Sequence, residues 1–139
     1  MSAKRSTAKT PAKTLSPKWR TQLSDHIIGL CWHPSGRSVS VATVDGHAAL
    51  IDAKDGHTVW HKSIHRVGAA DLHLSSSGER LVSAGQDGVA RLLAAQSGEV
   101  LAELPGGASW VERASFSPSG ELVLLAAGKH VRLFDCSGE

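Results

Sequence analysis

The stretch Pro34-Ser35-Gly36 decides the fold, because it recurs as Ser76-Ser77-Gly78 and as Pro118-Ser119-Gly120, each time 42 residues further along the chain. Asp45-Gly46 recurs at the same interval as Asp87-Gly88. Glycine at such turns supplies a positive φ, and Ser or Asp before it can hydrogen-bond to the backbone two residues on. Three units with their turns in step predict a repeat architecture.

The segments between these turns are short and apolar. They are shorter than a typical helix of about 11 residues and fall within the usual range for strands. Strands separated by turns at this spacing predict an all-β protein with four strands per complete unit. The predicted strands span residues 27–32, 38–43, 47–52, 58–64, 69–74, 80–84, 89–93, 100–104, 111–117, 122–127 and 131–135.

The repeated pattern resembles that of WD-repeat β-propellers. Residues 114–120 (Ala-Ser-Phe-Ser-Pro-Ser-Gly) and 131–135 (Val-Arg-Leu-Phe-Asp) show the resemblance most clearly, and it extends over roughly residues 19–139. It implies propeller blades, each a four-stranded antiparallel sheet. The positions that the resemblance assigns to the structural repeat are Gly36, Asp45, Asp52, His65, Gly78, Ser83, Asp87, Gly120 and Asp135.

The family has a structural tetrad of His, Ser or Thr, Trp and Asp, which this sequence keeps only in part. The second unit has His65, Ser83 and Asp87, with Leu93 at the Trp position. The first and third units retain fewer of these residues. We therefore expect apolar packing to contribute more to the stability of the blades than this hydrogen-bond network.

The resemblance divides the chain into blades at residues 24–65, 66–106 and 107–139, the last of them without a fourth strand. Residues 19–23 match residues 60–64, Trp on Trp and Leu on Ile, so we expect residues 18–23 to form a strand that closes the last blade. Three blades form an incomplete ring with exposed apolar faces. We expect a longer chain, a second copy or a partner to cover them.

A β-trefoil is the alternative fold. It also has three units of about 40 residues and would fit 139 residues without a partner. The Gln-x-Trp repeat common in trefoils is absent, however, and the Ser-Pro-x-Gly pattern has no special place in them. A trefoil would favour a carbohydrate-binding module.

The amino-terminal segment differs in charge from the remainder of the chain. Residues 1–20 carry six Lys and Arg and no acid, whereas the overall net charge is only +2. Residues 1–17 are therefore predicted to be a disordered basic tail. One alternative function is a nucleic-acid-associated protein that uses this tail, although we do not expect nucleic acid as the main partner.

No uncharged apolar run approaches the roughly 18 residues of a membrane span, and no signal peptide is apparent. We expect no membrane association. The two cysteines lack a CxxC spacing, which favours a reducing compartment. We expect a cytoplasmic location, with a nuclear one as the alternative in a eukaryote.

The sequence gives little indication of catalysis or metal binding. His57, His61 and His65 are spaced by four residues, but along a strand that spacing separates neighbours by about 13 Å, too far for one zinc ion. No GxSxG, P-loop or GxGxxG motif is present. We expect no enzymatic activity, catalytic residue, cofactor or metal.

The resemblance implies a non-enzymatic scaffold that binds proteins or peptides through loops and forms part of a larger propeller or assembly. We expect loop residues near the beginnings of the first strands to make most of these contacts. The candidate partner-binding residues are Asp25, His26, Arg37, Arg66, Trp110 and Arg113.

Overall fold

Three antiparallel sheets follow one another along the chain in the computed structural model, which describes residues 10–138. The first sheet contains β1 (Ile27–Trp32), β2 (Ser38–Thr43), β3 (His47–Asp52) and β4 (Thr58–Ser63). The second contains β5 (Ala69–Leu74), β6 (Arg80–Gly85), β7 (Val89–Ala94) and β8 (Val100–Pro105). The third contains β9 (Val111–Phe116), β10 (Leu122–Ala127) and β11 (His130–Asp135).

Within each sheet, the strands lie side by side in chain order. The repeated glycines make the tight connections possible: Gly36, Gly78 and Gly120 have φ values of 74°, 79° and 78°. Gly78 is also restricted by packing, because a Cβ there would collide with the His33 ring. These connections give the all-β blades that the sequence predicts, arranged in an open ring.

The alternative fold, a β-trefoil, is wrong. Each repeat closes a separate sheet through hairpins between neighbouring strands, and the sheets stack face to face. A trefoil would instead share strands from all three units in one barrel.

Two apolar cores lie between the sheets. The core between the first and second sheets includes Leu50, Trp60 and Leu81, and the core between the second and third includes Leu92 and Phe116. Adjacent β6 residues point into opposite cores, since Leu81 belongs to the first and Val82 to the second. The second sheet is thus covered on both faces, which explains its nearly continuous apolar strands.

The segment at residues 18–23 is not a strand, contrary to the sequence prediction. It lies against the first sheet, where Trp19 and Leu23 pack beside Val41, Ala49 and Ile51. The Trp19 indole N–H donates a 2.8 Å hydrogen bond to the Ala53 carbonyl. Side chains hold the segment in place, but no strand among the described residues lies alongside it to complete a backbone ladder.

The remaining amino-terminal prediction concerns the basic tail. Residues 10–17 are exposed and have no regular secondary structure, whereas residues 1–9 lie outside the described residues. Within the described part, no helix is long and apolar enough to cross a bilayer.

Candidate functional site

The candidate site is one edge of the stacked sheets, which we call the leading edge. It comprises the loops before β1, β5 and β9 together with the β2–β3, β6–β7 and β10–β11 turns. Backbone hydrogen bonds tie the loops to the turns: the Val44 amide donates to His26, and the Gln86 amide to Gly68, both at 2.8 Å. Antiparallel strand order therefore places these six connections at the same edge.

Five of the six predicted partner-binding residues lie at the leading edge. Asp25, His26, Arg66 and Trp110 are in the loops before the first strands, and Arg113 is in β9 close to its beginning. All five are exposed, with Trp110 at 57%.

The sixth candidate, Arg37, is exposed in the β1–β2 turn at the opposite edge. Its carbonyl accepts a hydrogen bond from the Ala53 amide at 2.9 Å. The structure therefore separates Arg37 from the other five candidates.

Two exposed valines at this edge were not predicted from the sequence as partner-binding residues. Val44 is 41% exposed and Val67 is 58% exposed. In sequence, a valine beside a strand is indistinguishable from a core residue, so no local signal marks them. Together with Trp110, they give the leading edge an apolar component.

Two acidic groups at this edge, Asp25 and Asp45, already have hydrogen-bond partners. The Asp25 carboxylate accepts from the His26 amide at 2.7 Å, and this backbone hydrogen bond lowers the Asp25 pKa. Asp45 accepts from the Thr43 hydroxyl, and that hydrogen bond holds the pKa of Asp45 well below its ordinary value. Local turn contacts thus partly satisfy both carboxylates.

The basic side chains are different. Within residues 10–138, the guanidinium groups of Arg66 and Arg113 form no ion pair. Lys129, in the β10–β11 turn, is also exposed. An incoming acidic group would therefore find cations here that have no competing carboxylate partner.

A buried network lies beneath the loop that carries Arg66. His65 is 2% exposed, with Nδ1 3.0 Å from Asp87 Oδ1 and Nε2 2.9 Å from Ser83 Oγ. A proton on Nδ1 lets His65 donate to Asp87 and accept from the Ser83 hydroxyl. These are the three tetrad positions that the second unit retains.

Arg91 extends this network and was missed in the sequence. Its Nη1 donates to Asp87 Oδ2 at 2.9 Å and to the Ile64 carbonyl at 2.8 Å. Asp87 Oδ2 also accepts from the Arg66 amide at 3.2 Å. The available signal was a charged residue flanked by apolar residues in a buried strand, four residues after Asp87.

Burial and charge act in opposite directions on this network. Burial lowers the pKa of His65, although the Asp87 carboxylate opposes that shift. Burial raises the pKa of Asp87, but hydrogen bonds from the Arg91 guanidinium, the Arg66 amide and His65 outweigh it and leave the value below normal. A neutral His65 between ionised Asp87 and Arg91 therefore holds the Arg66 loop in place.

The Trp110 loop meets the same turn from the other side. In the loop that leads to Trp110, the Gly106 amide donates a 2.9 Å hydrogen bond to the Gly88 carbonyl. Asp87 anchors the Arg66 loop, and the adjacent Gly88 contacts the Trp110 loop. The β6–β7 turn thus supports both loops.

The three regularly spaced histidines contact different neighbours. His57 bonds to Asp55 in the β3–β4 turn, His61 stacks on His47 with ring centroids 4.9 Å apart, and His65 is buried beside Asp87. Separately, ligand atoms of Asp52, Asp55 and His57 lie within 4.8 Å of one another. Both carboxylates of that group already accept turn hydrogen bonds from backbone amides.

Comparisons with known proteins agree with this architecture. A family model described as the Anaphase-promoting complex subunit 4 WD40 domain matches residues 17–73. This match covers less than half of the chain, whose fold is that of β-propeller blades. Its sequence matches no curated protein.

Two solved structures are similar in fold to these blades. One is the β-propeller domain of Cps50 (Swd1) from Myceliophteria thermophila, with 22% identity and a TM-score of 0.75. The other is U3-55K, with 16% identity and a TM-score of 0.79. Each comparison covers 85% of this chain and 38% of the other, so the chain spans well under half the length of either neighbour.

Proposed function

We propose that this chain is a non-enzymatic interaction module that binds a peptide segment of another protein at the leading edge. WD-repeat propellers generally act as scaffolds for protein–protein interaction, which supports this class of function. The observation that carries the proposal is the 57% exposure of Trp110 at the same edge as Arg66 and Arg113, whose guanidinium groups form no ion pair within residues 10–138.

The side chains at the leading edge suggest the chemistry of the ligand. Trp and Arg are enriched among the residues that dominate binding energy at interfaces. Trp110 and Val67 would contact an apolar side chain, while Arg66 and Arg113 would pair with carboxylates. We therefore propose a peptide with an apolar residue close to acidic ones.

Selection from a random peptide library on the immobilised chain tests this proposal. We expect selected peptides to combine an acidic residue with an apolar one, and Trp110→Ala to weaken their binding by about tenfold or more. Arg66→Ala and Arg113→Ala should each weaken binding by a smaller factor. The matched control is Arg37→Ala, an exposed arginine at the opposite edge.

Two results would contradict the proposal. One is a set of selected peptides whose binding is insensitive to Trp110→Ala. The other is binding that Arg37→Ala weakens as much as Arg66→Ala does, because the contact would then lie elsewhere.

We also propose that the chain works in a reducing compartment, the cytoplasm or a nucleus. The two cysteines, Cys31 and Cys136, lack a CxxC spacing, and Cys31 is a free thiol. Cys31 lies in an apolar strand, and burial raises its pKa, which favours the unreactive protonated form. Fractionation of cells that express the tagged chain would test this location.

A further inference from the structure

One face of the third sheet exposes residues whose counterparts in the second sheet are buried. Leu124 and Leu133 pair across β10 and β11 and are 46% and 61% exposed. Val82 and Leu92 pair in the same way across β6 and β7, and both are 0% exposed. In the second sheet, this face packs against the third sheet. The equivalent face of the third sheet is exposed.

The opposite face of the first sheet is open along β1, whereas residues 19–23 cover Val41, Ala49 and Ile51 in β2 and β3. Leu30 and Trp32 in β1 are each 67% exposed. Their counterparts are Leu72 in β5, which is 6% exposed, and Phe116 in β9, which is 7% exposed. Within this chain, each sheet packs one such face against the other kind of face on the next sheet. The exposed faces of the first and third sheets are therefore complementary to each other.

Residues 19–23 occupy the position of an outer strand from a preceding sheet. The Trp60 indole N–H in β4 donates to the Ala95 carbonyl of the second sheet at 3.1 Å, and its ring lies against Gly98. Trp19 makes the same pair of contacts on the first sheet, with Ala53 and Gly56. Residues 19–23 therefore lie against the first sheet as β4 lies against the second. They lack the three strands with which β4 forms its own sheet.

The third sheet has the complementary gap. Within the described residues, β11 pairs only with β10, whereas β7 pairs with both β6 and β8. An edge strand with free backbone groups can accept a further strand. A strand beside β11 would occupy the position that β8 has in the second sheet.

We propose that two copies of this chain associate head to tail, and that residues 19–23 of each copy form the outer strand of the other copy's third sheet. Each copy then covers the open faces of the other, and six sheets close a ring around a two-fold axis. Such closed, symmetric contacts are the usual form of homo-oligomers. The occupant of both faces is a second copy, because one chain carries both complementary faces and the strand that joins them.

The register of the joint follows from the first sheet. There Leu50 pairs with Trp60 and Ala48 with Lys62. The equivalent pairing places Leu133 opposite Trp19 of the other copy and Val131 opposite its Thr21. Thr21 already donates to the Gly56 carbonyl, which orients the segment before a partner arrives.

The same register places Arg20 opposite Arg132 of the other copy. Like charges directly across a strand pair are destabilising, so this position limits the affinity and also tests the register. We expect Arg20→Glu to tighten the dimer by roughly threefold to tenfold. Arg132→Glu should do the same, and the double variant should return towards the affinity of the original chain.

Light scattering of the full chain over a range of concentrations tests the association itself. We expect a discrete species of twice the 14.6 kDa chain mass, with dissociation on dilution. Leu133→Asp should shift the chain to monomer while its circular dichroism remains that of a β protein. The matched control is Val59→Asp in β4, since Val59 is 50% exposed and lies outside the proposed joint.

A crosslink locates the contact even if Leu133→Asp impairs folding. In the proposed register, Gln22 lies opposite His130, as Ser63 lies opposite His47. A mixture of isotopically heavy and light chains carrying Gln22→Cys and His130→Cys should give peptides that join residues 22 and 130 across the two labels.

Three results would overturn the proposal. One is a monomer at every concentration, which would leave the open faces to other blades. The second is a dimer that tolerates Leu133→Asp and gives no crosslink between residues 22 and 130. The third is a dimer that Arg20→Glu weakens. None of these depends on peptide binding at the leading edge, so this inference and the proposed function can fail separately.

Discussion

The second and third sheets have the same strand pattern but differ in what covers them. Leu92 in β7 is fully buried, whereas Leu133 at the equivalent position of β11 is 61% exposed. The second sheet also holds a buried polar network around His65, for which the third has no counterpart because Gly107 occupies the histidine position. Burial in this repeat therefore depends on the neighbouring sheet more than on the residue type.

The largest expected effect tests that difference directly. Leu92→Ala should lower the free energy of unfolding by about 2–5 kcal/mol, because it leaves a cavity in a closed core. Leu133→Ala should cost no more than about 0.5 kcal/mol in the monomer, where the side chain is in water. Urea unfolding at low protein concentration measures both values.

Equal losses for the two variants would mean that the third sheet is covered in solution. The proposed dimer predicts that the two losses in unfolding free energy approach each other only at high protein concentration, where the dimer forms. The concentration dependence of the Leu133→Ala loss is therefore the control for this experiment.

A second substitution tests the polar network. Gly85 in β6 is equivalent to Ala127 in β10, and a Cβ on Gly85 would collide with His65 Nδ1 and Asp87 Oδ1. Gly85→Ala should cost about 1–3 kcal/mol, because it forces buried polar groups apart. Thermal unfolding measures the loss.

The matched control for Gly85→Ala is Ala127→Gly in the third sheet. It removes a methyl group and should cost about 1 kcal/mol, with no polar network involved. If Gly85→Ala were neutral, the His65 contacts would contribute little to the stability of the second sheet.

The strands could be predicted from the sequence because the turns fix them locally. The predictions for β1, β2, β3, β5 and β10 match the structure at both ends. Strands β6, β7, β8 and β11 are each one residue longer than predicted, and β4 and β9 are each one residue shorter. Gly36 and Gly78 mark hairpins whose geometry depends on a few adjacent residues. Local turn chemistry was therefore sufficient to identify the repeat.

Residues 18–23 show where local reasoning fails. Their match to residues 60–64 correctly indicated the position of an outer strand, but a strand also needs a neighbour with which to pair. Arg91 and Val67 were missed for a related reason, since their contacts depend on how separate segments meet. The leading edge could be predicted in part, because strand direction alone places Arg66 and Trp110 at the same edge.

A third substitution compares the two sides of the second sheet. Trp60 links it to the first sheet through the Ala95 carbonyl, whereas Arg80 links it to the third through the Cys136 carbonyl at 2.7 Å. Trp60→Phe should cost about 1–2 kcal/mol, because a buried carbonyl loses its donor. Urea unfolding measures this loss.

Trp19→Phe is the matched control for Trp60→Phe. It removes the same kind of hydrogen bond from a half-buried segment outside any sheet, so we expect about 0.5 kcal/mol. A larger loss for Trp19→Phe than for Trp60→Phe would show that residues 19–23 contribute more to stability than their position implies.

The smallest expected effect is a dependence of stability on pH that arises from His65 beside the second sheet. Burial lowers the pKa of His65 below the unfolded value of 6.5, so the folded state binds this proton less readily than the unfolded state. The stability from a neutral His65 is present above pH 6.5 and decreases as the pH falls below it. The effect is small because the Asp87 carboxylate opposes the burial effect.

Urea unfolding at pH 7.5 and pH 5.5 checks this sign. The chain should be less stable at pH 5.5, and His65→Gln should reduce that difference because glutamine does not titrate. His57 works in the opposite direction, since Asp55 raises its pKa and favours the folded state at low pH. His57→Gln should therefore enlarge the loss of stability at pH 5.5. If the original chain instead became more stable at pH 5.5, His57 in the exposed β3–β4 turn would contribute more to the pH dependence than His65.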